Sequence, residues 1–481
     1  MGIERNFRLH FLVVRSFFPK FPSSDKMTVR LIKEPFFESG MTIYHKGIVP
    51  DLADLVKNDP NLVNHPLLFE LVEQFAPLLE GVLPAKRSGY EPEAYLYVQM
   101  YQALTQLSYE KFTDDLDTLF KAAGMSFQKA GKQVFSNGKE RRAVPDQPQM
   151  SDFLQDLDET GKVEEFGNLV FHALLLYLYK QGLLRATVTL IADYVMDPCQ
   201  KDKEDLYCFG TKQGKTKHKT LVFSIISGGL HVIVATFAIK KRQPIRPLFQ
   251  QVVSMLEGMG FHIDYALLDR GFYRKEIFVY FRRWGITVIM PVRACDQSRG
   301  KVRLWLQNKG GRRTRFTLDL GSAKKWGQKL LTMDMVLNAK RGYPLAQTKR
   351  DLKQKIITLD KAVKQIFPLL TSRAEGCKVT KIAGNEYYLR NLYRKRWAIE
   401  IAFREMHKLG IANWVQGRAK RLFLFNSKSV AYTLWQVERK KLAERDPTAE
   451  PLTLDEFCGR LFRNRSRDLV AEVPVAEQAQ C

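Results

Sequence analysis

The sequence predicts an α/β protein in which a mixed β-sheet is preceded by an all-helical segment and interrupted by a β-rich insertion. Three observations carry this. From about Leu52 to Leu184 apolar residues recur at steps of three and four, as on amphipathic helices. From residue 186 onward short β-branched runs alternate with helical stretches. Between residues 294 and 385 apolar and cationic residues alternate, as they do on half-exposed strands.

"HPLLFELVEQFAPLLEGVL", "EAYLYVQMYQALTQLSY" and "FGNLVFHALLLYLYKQGLL" are the expected helices of a domain at 44–185. The polar, basic "KAGKQVFSNGKERRAVPDQPQM" between them reads as a loop. Residues 1–43 precede this domain as an arm, with Met27 as an alternative start. "ATVTLIAD" (186–193) is a strand closing on Asp193. "KTLVFSIIS" (219–227) and "LHVIVATFAI" (230–239) are strands joined by Gly228-Gly229, a hairpin signal. "RPLFQQVVSMLEGMG" is a helix stopped by glycine, and "IDYALLD" (263–269) a strand that again closes on an aspartate. "YRKEIFVYFRRWG" follows as a helix and "ITVIMPV" as a strand.

The order strand, strand, strand, helix, strand, helix, strand is that of a ribonuclease-H-like mixed sheet. It places the core at 186–293 and 386–440, around an inserted subdomain at 294–385 in which "KVRLWLQNKGGRRTRFTLDL" reads as strands. A helix from about Tyr387 to Leu409 follows the insertion. The tail, 441–481, holds a linker, "AERDPTAEP", and a short helix that is a candidate for dimerisation.

A formal net charge of +25 over 481 residues describes a surface that attracts polyanions, and the excess is spread along the whole chain. With 45% hydrophobic residues a large core is feasible and wholesale disorder is excluded. The six cysteines include no Cys-x2-Cys pair, which argues against a zinc site, and their scarcity argues against a disulfide framework. The longest apolar run, "LVFHALLLYLY" (169–179), is too short to span a bilayer, so no membrane partner is expected. "FRLHFLVVRSFF" carries Arg15 inside its apolar part and lacks a small-residue cleavage site, unlike a signal peptide.

Asp193 and Asp269 close two strands, and in open α/β sheets ligands gather outside such ends. The bland alternative for either is a turn residue. "YRKRWAIEIAFREMHK" (393–408) alters that balance. On a helical wheel Tyr393, Arg396, Glu400, Arg404 and His407 share one narrow face. Ala398, Ala402 and Met406 fall opposite, and Glu405 turns away. Surface ion pairs alone would stabilise such a helix by only about 0.3–0.5 kcal/mol each. Three carboxylates together have a chemistry of their own: Mg²⁺ takes carboxylate and phosphate oxygens, and two such ions serve an in-line phosphoryl displacement. The surrounding cations and the Tyr393 hydroxyl would then hold DNA phosphates.

Weaker candidates each have a structural alternative. His218 touches a phosphate or is a loop residue; Arg270 contacts DNA or pairs locally. Trp305 and Trp326, in the insertion, stack on an unpaired base or fill a core. Lys129, Lys132, Lys139, Arg141 and Arg142 bind DNA ends or form a solvated loop.

Tyr393, Arg396 and Glu400, at spacings x2 and x3, resemble the Tyr-x2-Arg-x3-Glu-x6-Lys signature of a large group of prokaryotic insertion-sequence transposases. "LLDRGFY" (267–273) resembles the second-aspartate motif of that group, and "LIADYVMDP" (190–198) stands where the first lies. The gaps fit: 76 residues from Asp193 to Asp269, then 131 to Glu400, where the group carries a β insertion. The resemblance covers about 186–292 and 386–410. The chain departs from it at His407, where the signature has lysine; Lys408 is one step on. Asp197 is a second candidate for the first acid, with Asp193 preferred because it directly follows the strand run.

The resemblance implies a DDE transposase. Asp193, Asp269 and Glu400 would be catalytic and would hold two Mg²⁺ ions, with Mn²⁺ able to substitute. Tyr393, Arg396, Arg404, His407, Lys408, Arg270 and His218 would meet DNA. Water would cut at the element's ends, and the freed 3′-hydroxyl would attack target DNA. The implied partners are double-stranded DNA, as terminal inverted repeats and as target, and a second copy of the chain pairing the two ends. The implied place of action is the prokaryotic cytoplasm, at the nucleoid. Two further readings stay open: a DNA-binding relative without the chemistry, and a nuclease of the same fold without strand transfer. A tyrosine-recombinase role for Tyr393 lacks the expected Arg-His-Arg setting.

Overall fold

The structure, a computed structural model, describes residues 141–199, 206–210, 216–292, 295–319, 330–340, 342–372, 386–409, 418–448, 450–454 and 456–457, with isolated positions between 89 and 128. The expected arm, Lys129, Lys132, Lys139, Trp326, most of the helical segment ahead of 141 and the tail beyond 457 lie outside the described residues.

Helix α1 (Gln147–Glu159) starts where sequence chemistry says a helix should. The Asp146 carboxylate accepts from the Gln149 N–H at 3.0 Å, and the Gln149 side chain accepts from the Asp146 N–H at 2.8 Å. Helix α2 (Val163–Lys180) follows and buries Phe166, Phe171, Leu174 and Leu178. The sheet is then laid down as β1 (Thr187–Cys199), β2 (Cys208–Gly210), β3 (Thr216–Ser227) and β4 (Leu230–Ala238). Gly228 and Gly229 take φ of +56° and +83°, the left-handed pair that a two-residue hairpin turn requires. After α3 (Arg246–Gly258) come β5 (His262–Leu268), a short 3₁₀ turn (Arg270–Phe272), α4 (Lys275–Arg283) and β6 (Thr287–Pro291).

In the sheet β1 pairs antiparallel with β3 and parallel with β5, which is itself parallel to β6. The other edge of β3 carries both β4, along Thr220–Ser227, and β2, along Thr216–His218. The order β4-β3-β1-β5-β6, with only β3 running against its neighbours, is the ribonuclease-H-like arrangement. Helices cover both faces. On one, Phe249 of α3 meets Phe223 at 4.8 Å and Phe272 at 5.6 Å. On the other, buried Asn168 of α2 and Asn426 both bond Thr236 of β4.

The insertion continues this same sheet. It holds α5 (Asp296–Leu306), β7 (Arg313–Asp319), β8 (Leu330–Ala339), α6 (Leu345–Lys353), α7 (Leu359–Gln365) and β9 (Ile366–Thr371). β9 pairs antiparallel with β6, and β8 and β7 extend the sheet outward from it. "KVRLWL", expected as strand, is the end of α5. Its Val302, Trp305 and Leu306 are buried at helical spacing, and the Ser298 hydroxyl accepts from the Cys295 N–H at the helix start.

Two local departures bear on the site. β1 runs on past Asp193 to Cys199, because β3 begins at Thr216 and offers partners that far. The expected helix 387–409 is two, α8 (Glu386–Arg394) and α9 (Trp397–Lys408). At the joint the Arg396 N–H bonds Tyr393 O and the Ala398 N–H bonds Lys395 O, a 3₁₀-like tightening by one residue between α8 and α9. Helix α10 (Arg418–Arg445) packs on β4 and α2. Among the described residues no helix is long and apolar enough to cross a membrane.

Candidate active site

The parallel pairing of β1 with β5 ends at Ala192 opposite Leu268. The next residue on each strand is an aspartate, so Asp193 and Asp269 stand side by side on neighbouring chains, which run about 4.8 Å apart. Asp193 is mostly buried and accepts from the Tyr194 N–H at 2.7 Å. Its second oxygen accepts from Arg396, also at 2.7 Å. Burial pushes the Asp193 carboxyl up from its usual range; Arg396 opposes this, and the nearby charges of Asp269 and Glu400 add to the rise.

Glu400 lies in the first turn of α9, where a carboxylate is favoured by the helix end, and its side chain is 48% exposed. Arg396 also donates to Glu400, so one buried guanidinium joins two of the three acids. Burial works against that charge, but the oxygens of Tyr393, Asp193 and Glu400 outweigh it and raise the Arg396 pKa. Its Nε is buried with no hydrogen-bond partner among the described residues.

The other candidates fall into two groups. Tyr393 is buried: its hydroxyl donates to Leu268 O at 3.5 Å, and burial pushes its pKa well up. Arg404, His407 and Lys408 are exposed on the same helix as Glu400, with Lys408 bonded to Glu405 at 2.7 Å. Arg270, next to Asp269, is exposed as well. Tyr393 stays beside Arg396, whose guanidinium lies 5.7 Å from its ring and bonds Glu400.

His218 is not brought to this cluster. It lies opposite Asp197, four positions beyond Asp193 and so about 13 Å further along β1. Its Nε2 is 3.7 Å from the Cys208 thiol. Asp197 is buried, and its charge supports that of Lys428, whose pKa burial pushes down. Trp305 is buried with the Lys349 ammonium 4.1 Å above its ring. Arg142 is bonded to Asp114. Phe367 of β9 neighbours both Tyr393 and Arg270, though inside "IFPLLT" nothing in the sequence sets it apart from a strand residue.

Among the described residues no three His, Cys, Asp or Glu side chains stand close enough to grip one metal ion. The donor chemistry nonetheless suits a hard divalent cation: the charges of Asp269 and Glu400 both act on Asp193, and one guanidinium meets Asp193 and Glu400.

A comparison with curated proteins finds no match. Among solved structures, the piggyBac transposase synaptic complex with hairpin DNA, determined by cryo-EM, is similar at 12% identity over 87% of this chain and 83% of that one, with a TM-score of 0.43. Residues 188–425, which hold all three acids and the insertion between the second and third, match the model of the transposase DDE domain family.

Proposed function

We propose that the chain is a DNA transposase of the insertion-sequence type, cutting phosphodiester bonds at element ends and joining the freed ends to target DNA. One observation carries this reading: two aspartates side by side at neighbouring strand ends, the first of them tied through Arg396 to Glu400, inside the stretch that matches the transposase DDE domain.

Asp193, Asp269 and Glu400 are the residues that would hold divalent metal, two Mg²⁺ ions or Mn²⁺ in their place. Bound there, the metal supplies Lewis-acid activation of the attacking oxygen and stabilisation of the leaving one. Arg396 offsets part of the charge of Asp193 and Glu400 in the resting chain; a turn of its guanidinium to a DNA phosphate would free both acids to hold the metal. Arg404, His407 and Lys408, exposed along α9, and Arg270 at the end of β5 hold backbone phosphates on either side. Tyr393 keeps the α8–α9 joint on the strand end that carries Asp269. The segment 44–185 takes the terminal repeats, and a second copy of the chain holds the other end of the element.

The test is incubation with duplex DNA carrying the native ends and Mg²⁺, with nicks mapped to the nucleotide. Glu400→Gln is expected to abolish cutting while binding persists. Cutting by that variant at the normal rate would overturn the assignment, and cutting without joining would mark a nuclease.

A further inference from the structure

Four side chains follow one another as neighbours, two of them adjoining Asp269 or the residue before it. The Arg396 guanidinium lies 5.7 Å from the Tyr393 ring, that ring 6.0 Å from Phe367, and Phe367 5.9 Å from the Arg270 guanidinium. Three of the four belong to the core, and two of them, Arg270 and Tyr393, adjoin the acid or the residue before it. Arg270 follows it in sequence, Tyr393 bonds the carbonyl of Leu268 just before it, and Arg396 bonds Asp193. Phe367 alone comes from the insertion.

Its backbone has little freedom. β9 pairs with β6 from Leu369 to Thr371, and the Val292 N–H donates to Pro368 O at 3.0 Å. Arg270 is exposed, and among the described residues its guanidinium has no hydrogen bond or ion pair. An acid at position 367 would orient Arg270 but cancel its charge. An aromatic face orients it and leaves the charge available. A guanidinium held this way offers a ready fork to a phosphate, with less rotamer freedom left to lose on binding.

We propose that Phe367 is a positioning residue for DNA: it holds Arg270 over the strand end at Asp269, ready for the phosphate neighbouring the one that is cut. The insertion thereby completes the nucleic-acid site. This rests on the reading of Asp193, Asp269 and Glu400 as the cutting centre.

The test uses the full chain and a labelled duplex carrying the repeats that flank its own coding region, with binding measured over a salt series. Phe367→Leu keeps bulk and loses the π face. It is expected to bind about 5-fold more weakly at low salt. Its salt slope should fall by about one phosphate contact, as for Arg270→Ala. In the Arg270→Ala background Phe367→Leu should add nothing, and Phe367→Tyr should behave as the unaltered chain. Normal affinity and slope in Phe367→Leu would overturn the proposal, as would an equal loss in the Arg270→Ala background. Glu400→Gln separates the two failures. If it is inactive while Phe367→Leu binds normally, only the role of Phe367 falls. If it cuts normally, the cutting centre falls and this proposal with it.

Discussion

The Arg396 guanidinium reaches Asp193 at 2.7 Å across 203 positions of sequence, and from the same buried place bonds Glu400 four residues on. That contact ties the helix pair α8–α9 to the central strand and sets the charge balance of the site.

Removing the guanidinium should therefore be costly. Arg396→Ala leaves buried Asp193 without its counter-charge and is expected to lose about 2–3 kcal/mol, since breaking a buried pair strands the remaining ion. Urea unfolding midpoints at constant slope measure this. Asp193→Asn in the Arg396→Ala background should recover much of the loss. Added Mg²⁺ should raise the melting temperature of Arg396→Ala more than that of the unaltered chain, because a cation then takes over the compensation. A loss below about 1 kcal/mol would mean that the carboxylate is stabilised elsewhere.

The two aspartates of β1 should separate by phenotype. Asp193→Asn is expected to lower end cutting on the order of a thousandfold with the fold retained. Asp197→Asn instead leaves buried Lys428 poorly compensated and should cost about 1–3 kcal/mol while cutting persists. Cleavage assays beside thermal melts decide between them; the reverse pattern would make Asp197 the first acid.

Away from the site, Glu257 of α3 makes stability depend on pH. Burial pushes its carboxyl from 4.5 up to about 7. Between those values the folded chain keeps a proton that the unfolded chain has released. The contribution is thus whole below pH 4.5 and lost as the pH rises through about 7. Glu257→Gln has no proton to lose. It should be more stable than the unaltered chain at pH 8 by on the order of 1 kcal/mol, discounted for the carboxyl's contact with solvent. The gap should close at low pH. Melting curves at both ends of the range check the sign, and a constant gap would refute it.

Five strands of the core, β1, β3, β4, β5 and β6, could be read along the chain because each announces itself locally, through apolar or β-branched runs and the Gly228-Gly229 turn; β2, "CFG", has no such signal. Asp193 and Asp269 stood out for the same reason. What escaped depends on partners far away in sequence. β1 continues to Cys199 only because β3 is there to pair with it. No glycine or proline marks the break at Arg396; it accompanies a side chain drawn to Asp193. "RGKVRLWL" satisfies both a strand's and a helix's period, and burial of Val302, Trp305 and Leu306 decides for the helix. The contacts of Phe367 with Tyr393 and Arg270 likewise arise only from what faces it in the fold.

The seam between β6 and β9 has a consequence for tolerance to length change. The chain departs for its excursion at Pro291 and comes home along the strand it left, so both ends of the detour are moored at one place. Residues gained or lost in the outer turns are absorbed beyond that mooring. The count of residues separating Asp269 from Glu400 is accordingly free to drift, while their distance in space is not.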